Sequence, residues 1–273
     1  MNTIKKASFL LLSIILMNKA VAQSETKDQI TVPLTDPTKP YSLTVKLING
    51  SIKVASYAGK EILIEAQAAN AKKEESKANA EGMKRIVADN GLELTAEENN
   101  NKVVVHSDSW KRAVNLTIKV PQNGNFKLHT INNGDITVEN INGEMEVNNV
   151  NGAIKLSNIS GSVVANTVNG NIITNFKSVD SKAPMAFTTL NGNVDITFPA
   201  TIKTNVKLKS DRGEILSDFD IDIDKTQPKT NTASEKGMYK IKIEDWIYGK
   251  INGGGPEIMM KNMHGNIYLR KAK

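Results

Sequence analysis

The chain has 273 residues, no cysteine and a formal net charge of +6, with aromatic residues making up 5% of it. Absence of cysteine excludes a disulfide framework, and it leaves no sulfur for a bacterial lipoprotein anchor after the leader. Stability must then come from packed apolar side chains and backbone ladders.

The N-terminus reads as an export signal. Met1 to Lys6 is basic, Ala7 to Met17 is apolar, and Ala20-Val21-Ala22 supplies a small-x-small cleavage site. Residues 1–22 are therefore expected to be a signal peptide, cut between Ala22 and Gln23. The apolar run is shorter than the ~20 residues that a membrane span requires. Losing Lys5, Lys6 and Lys19 with the leader lowers the charge from +6 to +3, so the mature chain has no basicity that calls for nucleic acid.

Residues 23–40 are expected to be an extended segment, and 41–273 one β-solenoid. The evidence for the solenoid is a nine-residue spacing. Gly134, Gly143, Gly152, Gly161 and Gly170 recur without drift. At plus two, plus four and plus seven from the first four of these stand Ile136, Val138, Ile141; Met145, Val147, Val150; Ile154, Leu156, Ile159; and Val163, Ala165, Val168. All of these are apolar, and most residues at plus one, three and five are polar. Alternation of period two with a glycine turn at a fixed interval describes short stacked strands. The offsets recur at Gly50 (Ile52, Val54, Tyr57), at Gly59, at Pro256 (Ile258, Met260, Met263) and at Gly265 (Ile267, Leu269). Asparagine precedes many of these glycines, at Asn133, Asn142, Asn151, Asn169, Asn191 and Asn252, as turns with positive φ favour. Asn140, Asn149 and Asn158 form a second column able to bond along the stack.

Four stretches depart from the repeat. Residues 66–90, rich in Ala, Lys and Glu, predict a short helical insertion near the first coil, covering one end of the solenoid. Between Gly170 and Gly213 the spacing widens to 22 and then 21 residues, predicting coils of roughly 18–22 residues with looser turns at KSVDSKAP and FPATIKT. Asp218, Asp220, Asp222 and Asp224 alternate with Phe219, Ile221 and Ile223, which suggests an acidic outer face or, less simply, a calcium site. Residues 225–237 predict an exposed polar loop ahead of MYKIKIEDWIYG.

The expected fold is thus all-β, a single-stranded β-helix or β-solenoid. No catalytic, cofactor-binding or metal-binding residue emerges. His106, His129 and His264 lack ligand spacing, and Gly253-Gly254-Gly255 leads into a strand rather than a helix. The carboxylates Glu139, Glu144 and Glu146 sit on short strands without the loops that a polysaccharide-cleaving β-helix uses. Only Trp110 and Trp246 are tryptophans available for sugar stacking.

The segments LTVKLINGSIKV (43–54), LTIKVPQNGNFKLHTINNGDITV (116–138) and INGGGPEIMMKNMHGNIYLRK (251–271), with the run of NG and SG turns, resemble one bacterial family. It is the putative adhesin family of exported β-strand-repeat domains, related to the putative auto-transporter adhesin head domains. The resemblance spans roughly residues 41–271. It implies a β-helix-like solenoid outside the cytoplasm and carries no catalytic residue. The functional expectation is a non-enzymatic envelope or surface binding protein, in the periplasm, on the outer surface or outside the cell. Its partner would be a glycan or a protein. A periplasmic scaffold and a β-helix polysaccharide enzyme are the alternatives.

Overall fold

The computed structural model describes residues 27–68, 92–226, 230–235, 238–243 and 245–273. Among them every regular element is a β-strand, twenty in one continuous sheet and two in a separate hairpin. The sheet folds into two ladders of mostly parallel strands that face each other across the core.

Each nine-residue unit supplies one strand, alternately to one ladder and to the other, so a coil comprises two units. Ile136, Ile154 and Ile172 are successive partners on one face at intervals of 18 residues. On the other face Phe126, Met145 and Val163 are successive partners. The step from Phe126 to Met145 is one residue longer because Asn133 is an extra turn residue at φ 55°. Farther along, Ile172 pairs with Val194 across the widened coil.

The inward residues are those the alternation marks: Ile136, Val138, Val147, Ile154, Ala165 and Ile172 are each fully buried, as are Ile52 and Val54. A buried aliphatic side chain of this size contributes about 1.5–3 kcal/mol. Phe176 stacks on Phe198 at 5.1 Å and meets Phe187 edge-on, filling the wider coils.

Coil order is not chain order. The coil formed by Tyr41–Asn49 and Ile52–Ser56 lies between the coil of Lys102–Ser107 and Val114–Val120 and that of Gly124–Asn132 and Ile136–Glu139. At the other end Glu257–His264 and Ile267–Lys271 insert between the coil of Met185–Asn191 and Val194–Phe198 and that of Thr204–Arg212 and Ile215–Ser217. The N-terminal and C-terminal coils are therefore internal rungs, and both outermost coils come from the middle of the sequence. Each outer coil is finished by antiparallel strands. Leu94–Asn99 and Ile62–Ala68 close one end, with Lys27–Val32 added to the latter. Ile247–Ile251 and Asp222–Ile223 close part of the other. Antiparallel edges interrupt the parallel template that would otherwise invite another chain.

Two expectations are adjusted, and a third lies outside the described residues. Residues 1–22 lie outside the described residues. Of the helix expected over 66–90, residues 66–68 end the strand Ile62–Ala68 and 69–90 lie outside the described residues; no helix occurs among those described. Antiparallel strands cover that end of the sheet. Within the polar stretch 225–237, Thr230–Glu235 is not a loop but a strand paired with Met238–Ile243, because MYKIKI alternates and has high β-propensity.

Candidate binding surface

The chain crosses from one face to the other at two corners. At the first, Gly134, Gly152, Gly170, Gly192, Gly265 and Gly213 stack in one column above Gly50, and a Cβ on any of them would land on the backbone of the glycine one coil away. Glycine is required here by close approach rather than by φ alone. Just inside this corner runs a buried polar column. Thr130, Thr167, Thr189 and Ser210 donate hydroxyl hydrogen bonds to the carbonyls of Gly50, Gly152, Gly170 and Gly265. Asn149 and Asn262 donate through Nδ2 to Gly134 and Gly192. Their Oδ1 atoms, buried, accept nothing among the described residues.

Two further ladders finish the corner. Asn191 donates to Asn169 at 2.7 Å, Asn169 to Asn151 at 2.8 Å, and Asn151 to Asn132 at 3.0 Å. Beside them Asp135 Oδ1 accepts the Ala153 N–H, Asn171 that of Asn193, Asn193 that of Asn266, and Asn266 that of Glu214. Asp135 is also bonded to Lys155 Nζ at 2.9 Å. Burial would raise its pKa, but Lys155 and the Ala153 amide outweigh that and hold it below the usual carboxylate value. Of the asparagines before glycine, Asn151, Asn169 and Asn191 are thereby accounted for as corner chemistry.

The outer surface of the ladder that holds Phe126, Met145 and Val163, here called the first ladder, carries three parallel columns. One is polar: His106, Lys46, His129, Asn148, Asn166, Thr188, Lys261 and Lys209 are successive cross-strand partners. Asn166 donates to Asn148 at 3.0 Å within it. Two residues along the strands runs an apolar ridge, Ile48, Ile131, Val150, Val168, Leu190 and Met263, whose last three members are about 40% exposed. Val150 and Val168 are the plus-seven positions of the repeat; their counterparts Ile141 and Ile159, at the other corner, are buried. The third column includes Lys127, Glu146, Val164, Met259 and Lys207.

At the end nearest Thr204–Arg212 the columns meet an aromatic group. Trp246 lies just before Ile247–Ile251, which pairs antiparallel with Thr204–Arg212. Lys207 Nζ is 4.7 Å from the centre of its ring, Lys209 Nζ 5.7 Å and Lys261 Nζ 5.9 Å, and Lys207 also lies 5.7 Å from Tyr248. The Lys209 side chain is only 12% exposed and pairs with Asp211 at 3.3 Å. The second tryptophan, Trp110, is exposed near the opposite end, where its carbonyl accepts from Asn49.

At the second corner Gly124, Gly143 and Gly161 stack, and Asn158 bonds Asn140. Then the turns 177–184 and 199–203 loosen. They enclose a cavity of about 370 Å³ lined by Lys177, Asp180, Met185, Thr201, Lys203 and Ile258 among others.

The remaining residues singled out in the sequence are placed as follows. Asp218, Asp220 and Asp222 are exposed, Phe219 is buried, and Ile223 is exposed. Asp224 Oδ1 accepts from Thr226, and Asp218 accepts the Lys271 N–H, so the carboxylates are turned to separate local partners. Among the described residues no three His, Asp or Glu side chains gather as a metal site. Glu139 faces Lys53 and Glu146 faces Lys127 as exposed ion pairs. His264 takes the ladder place after Asn191 and lies 3.2 Å from Arg212. The glycines 253–255 form a turn, with Gly253 and Gly254 at φ 88°.

The family described as Toastrack DUF4097 matches residues 12–270. No curated protein matches the chain. Among solved structures, a putative cell adhesion protein from Clostridium sporogenes is 12% identical over 90% of this chain and 100% of its own, with a TM-score of 0.46. A putative adhesin from Bacteroides fragilis is 13% identical over 91% and 98%, at 0.42. A putative lipid binding protein from Parabacteroides distasonis is 10% identical over 92% and 98%, at 0.33. Likenesses at that level carry no functional argument. No helix among the described residues is long and apolar enough to cross a membrane.

Proposed function

The chain belongs to the Toastrack DUF4097 family, and from that premise we propose a non-enzymatic binding protein of the bacterial cell envelope or surface, reached by export. The observation that supports this reading is the outer face of the first ladder. On three successive coils, at Asn148, Asn166 and Thr188, it offers an amide or hydroxyl beside the apolar ridge, about 4.8 Å apart. A surface that repeats in one dimension suits an extended polymer held by many weak contacts. The acidic side chains that an enzyme would need are instead dispersed as solvated ion pairs.

The test has two arms. Purified residues 23–273 are incubated with envelope fractions and sedimented, and a tagged full-length chain is exposed to protease in intact and in opened cells. Cosedimentation together with export supports the reading. A chain that stays in the supernatant with every fraction, or that remains in the cytosol, overturns it. Digestion in intact cells places the face outside; protection until the envelope is opened places it in the periplasm.

A further inference from the structure

The cluster around Trp246 differs from the rest of the surface in charge. Three ammonium groups lie within 6 Å of one ring centre, and Tyr248 adds a second ring. Lys209 is paired with Asp211, whereas Lys207 and Lys261 have no acidic partner among the described residues. Asp245, next to Trp246 in sequence, is exposed. An indole face stabilises adjacent cations, yet like charges gathered this closely repel one another. An anion placed among them removes that repulsion.

The cluster also terminates a track. Asn148, Asn166, Thr188, Lys261 and Lys209 are consecutive partners on five coils, a length of about 19 Å at the usual strand spacing. Amide and hydroxyl groups along it exchange hydrogen bonds with hydroxyls. The apolar ridge two residues away faces the C–H surface that a sugar ring presents, and the indole offers a flat apolar platform of the same kind. An acyl chain would use the ridge but would leave the amides of the track unanswered.

We propose that Trp246, with Lys207, Lys209 and Lys261, is a subsite for the carboxylate-bearing sugar of an acidic polysaccharide whose neighbouring units lie along the Asn148–Lys261 track. This rests on the envelope-binding reading for where such a polymer is met, not for the contact itself. Lys207 and Lys261 hold the carboxylate, Lys209 stays tied to Asp211, and the indole carries the ring.

The experiment uses residues 23–273 with Trp110→Phe, so that emission reports Trp246 alone, and oligogalacturonate as the probe. A saturable change in emission is expected. Its methyl ester, with the same rings and no charge, should bind about tenfold more weakly or worse, and so should the Lys207→Gln/Lys261→Gln variant, since each loses charge-assisted hydrogen bonds. Trp246→Leu, followed by calorimetry, should weaken binding with the melting temperature retained. Equal binding of acid and ester, no binding of either, or indifference to the lysine substitutions overturns the subsite. So does inorganic phosphate competing as well as the oligosaccharide, or phosphatidylglycerol vesicles binding where the oligosaccharide does not. Envelope cosedimentation that persists in the Lys207→Gln/Lys261→Gln variant, with oligogalacturonate unbound by the parent, sinks this subsite alone. Failure of the parent to cosediment sinks the wider reading.

Discussion

The two corners of the coil solve one problem by different chemistry. At the first, the chain turns so tightly that glycine stacks on glycine from Gly50 to Gly213, and the space left is filled by hydroxyls and amides that bond the glycine carbonyls. At the second, glycine stacks on glycine only at Gly124, Gly143 and Gly161, the turn is packed by apolar side chains, Ile141 and Ile159, with Phe176 and Phe198 stacked in the wider coils, and it loosens after Gly161 into longer loops. A corner closed by hydrogen bonds to the glycine carbonyls changes little in length, its one extra residue being Asn133 ahead of Gly134. A corner closed by side-chain volume can lengthen and enclose a cavity. Function on a solenoid tends to collect where length is free, but here the rigid corner has its own use, because it keeps the ridge and the polar track in line.

The largest expected effect sets the scale for both corners. Val147→Asp places a carboxylate in a fully buried site between them and should destabilise the fold by about 4 kcal/mol or more in urea titrations. Glu146→Lys, one residue away on the outer face, should cost almost nothing beyond its ion pair with Lys127. Comparable losses at both positions would contradict the inward–outward assignment. Next comes length. One glycine inserted between Gly152 and Ala153, where every coil of the glycine column has the same single residue before its next strand, separates the Thr167 bond to the Gly152 carbonyl from the Ala153 N–H bond to Asp135 and should cost about 3 kcal/mol or more. The same insertion between Ser181 and Lys182 should cost under about 1 kcal/mol, as loop closure changes slowly with length. Urea midpoints of the two variants measure the difference directly, and equal midpoints would abolish the distinction between the corners.

A smaller effect of opposite sign sharpens the picture. Asn149 stands in the buried polar column between Thr130 and Thr167, both of which satisfy their hydroxyls, yet its own Oδ1 is buried without a donor among the described residues. Asn149→Thr should stabilise the fold by about 1 kcal/mol, the low end of the cost of an unmet buried acceptor. A lower melting temperature would mean that the amide does something for the rung that a hydroxyl does not.

These differences explain what the sequence makes legible. The nine-residue spacing announces the rungs, and the apolar offsets identify Val147, Ile154 and their equivalents as inward, because glycine contact and alternation are local constraints. Two features escape it. The plus-seven position has one residue class but two fates, buried at Ile141 and Ile159, open at Val168, because the corners alternate while the spacing does not. Coil order is equally silent. Every rung offers the same parallel edge, so nothing local tells residues 257–271 to enter beside 185–198 rather than follow 204–217. The Trp246 cluster inherits that silence, since Lys207, Lys209, Trp246 and Lys261 meet only through this insertion and the antiparallel strand at Ile247–Ile251.

The subtlest test concerns acid, and it compares one rung of the rigid corner with its neighbours. Asp135 occupies the column that Asn171, Asn193 and Asn266 fill elsewhere, each accepting an amide N–H from the next coil. Only Asp135 titrates. Its folded pKa lies below the ordinary carboxylate value because Lys155 and the Ala153 N–H favour the charged form over the opposing effect of burial. A lowered folded pKa means that the unfolded chain binds the proton first, so the contribution is complete above the ordinary carboxylate pKa and is lost as pH falls through the lowered one. The carboxylate is partly open to solvent, so the change is small. Melting temperatures of the parent and Asp135→Asn, compared from neutral pH downward, should diverge least in acid, since the amide keeps its acceptor when the carboxylate has lost its charge. A parent whose margin over Asp135→Asn stays constant with pH would show that the aspartate acts as a neutral acceptor like the asparagines beside it, and the rigid corner would then be uniform along its whole length.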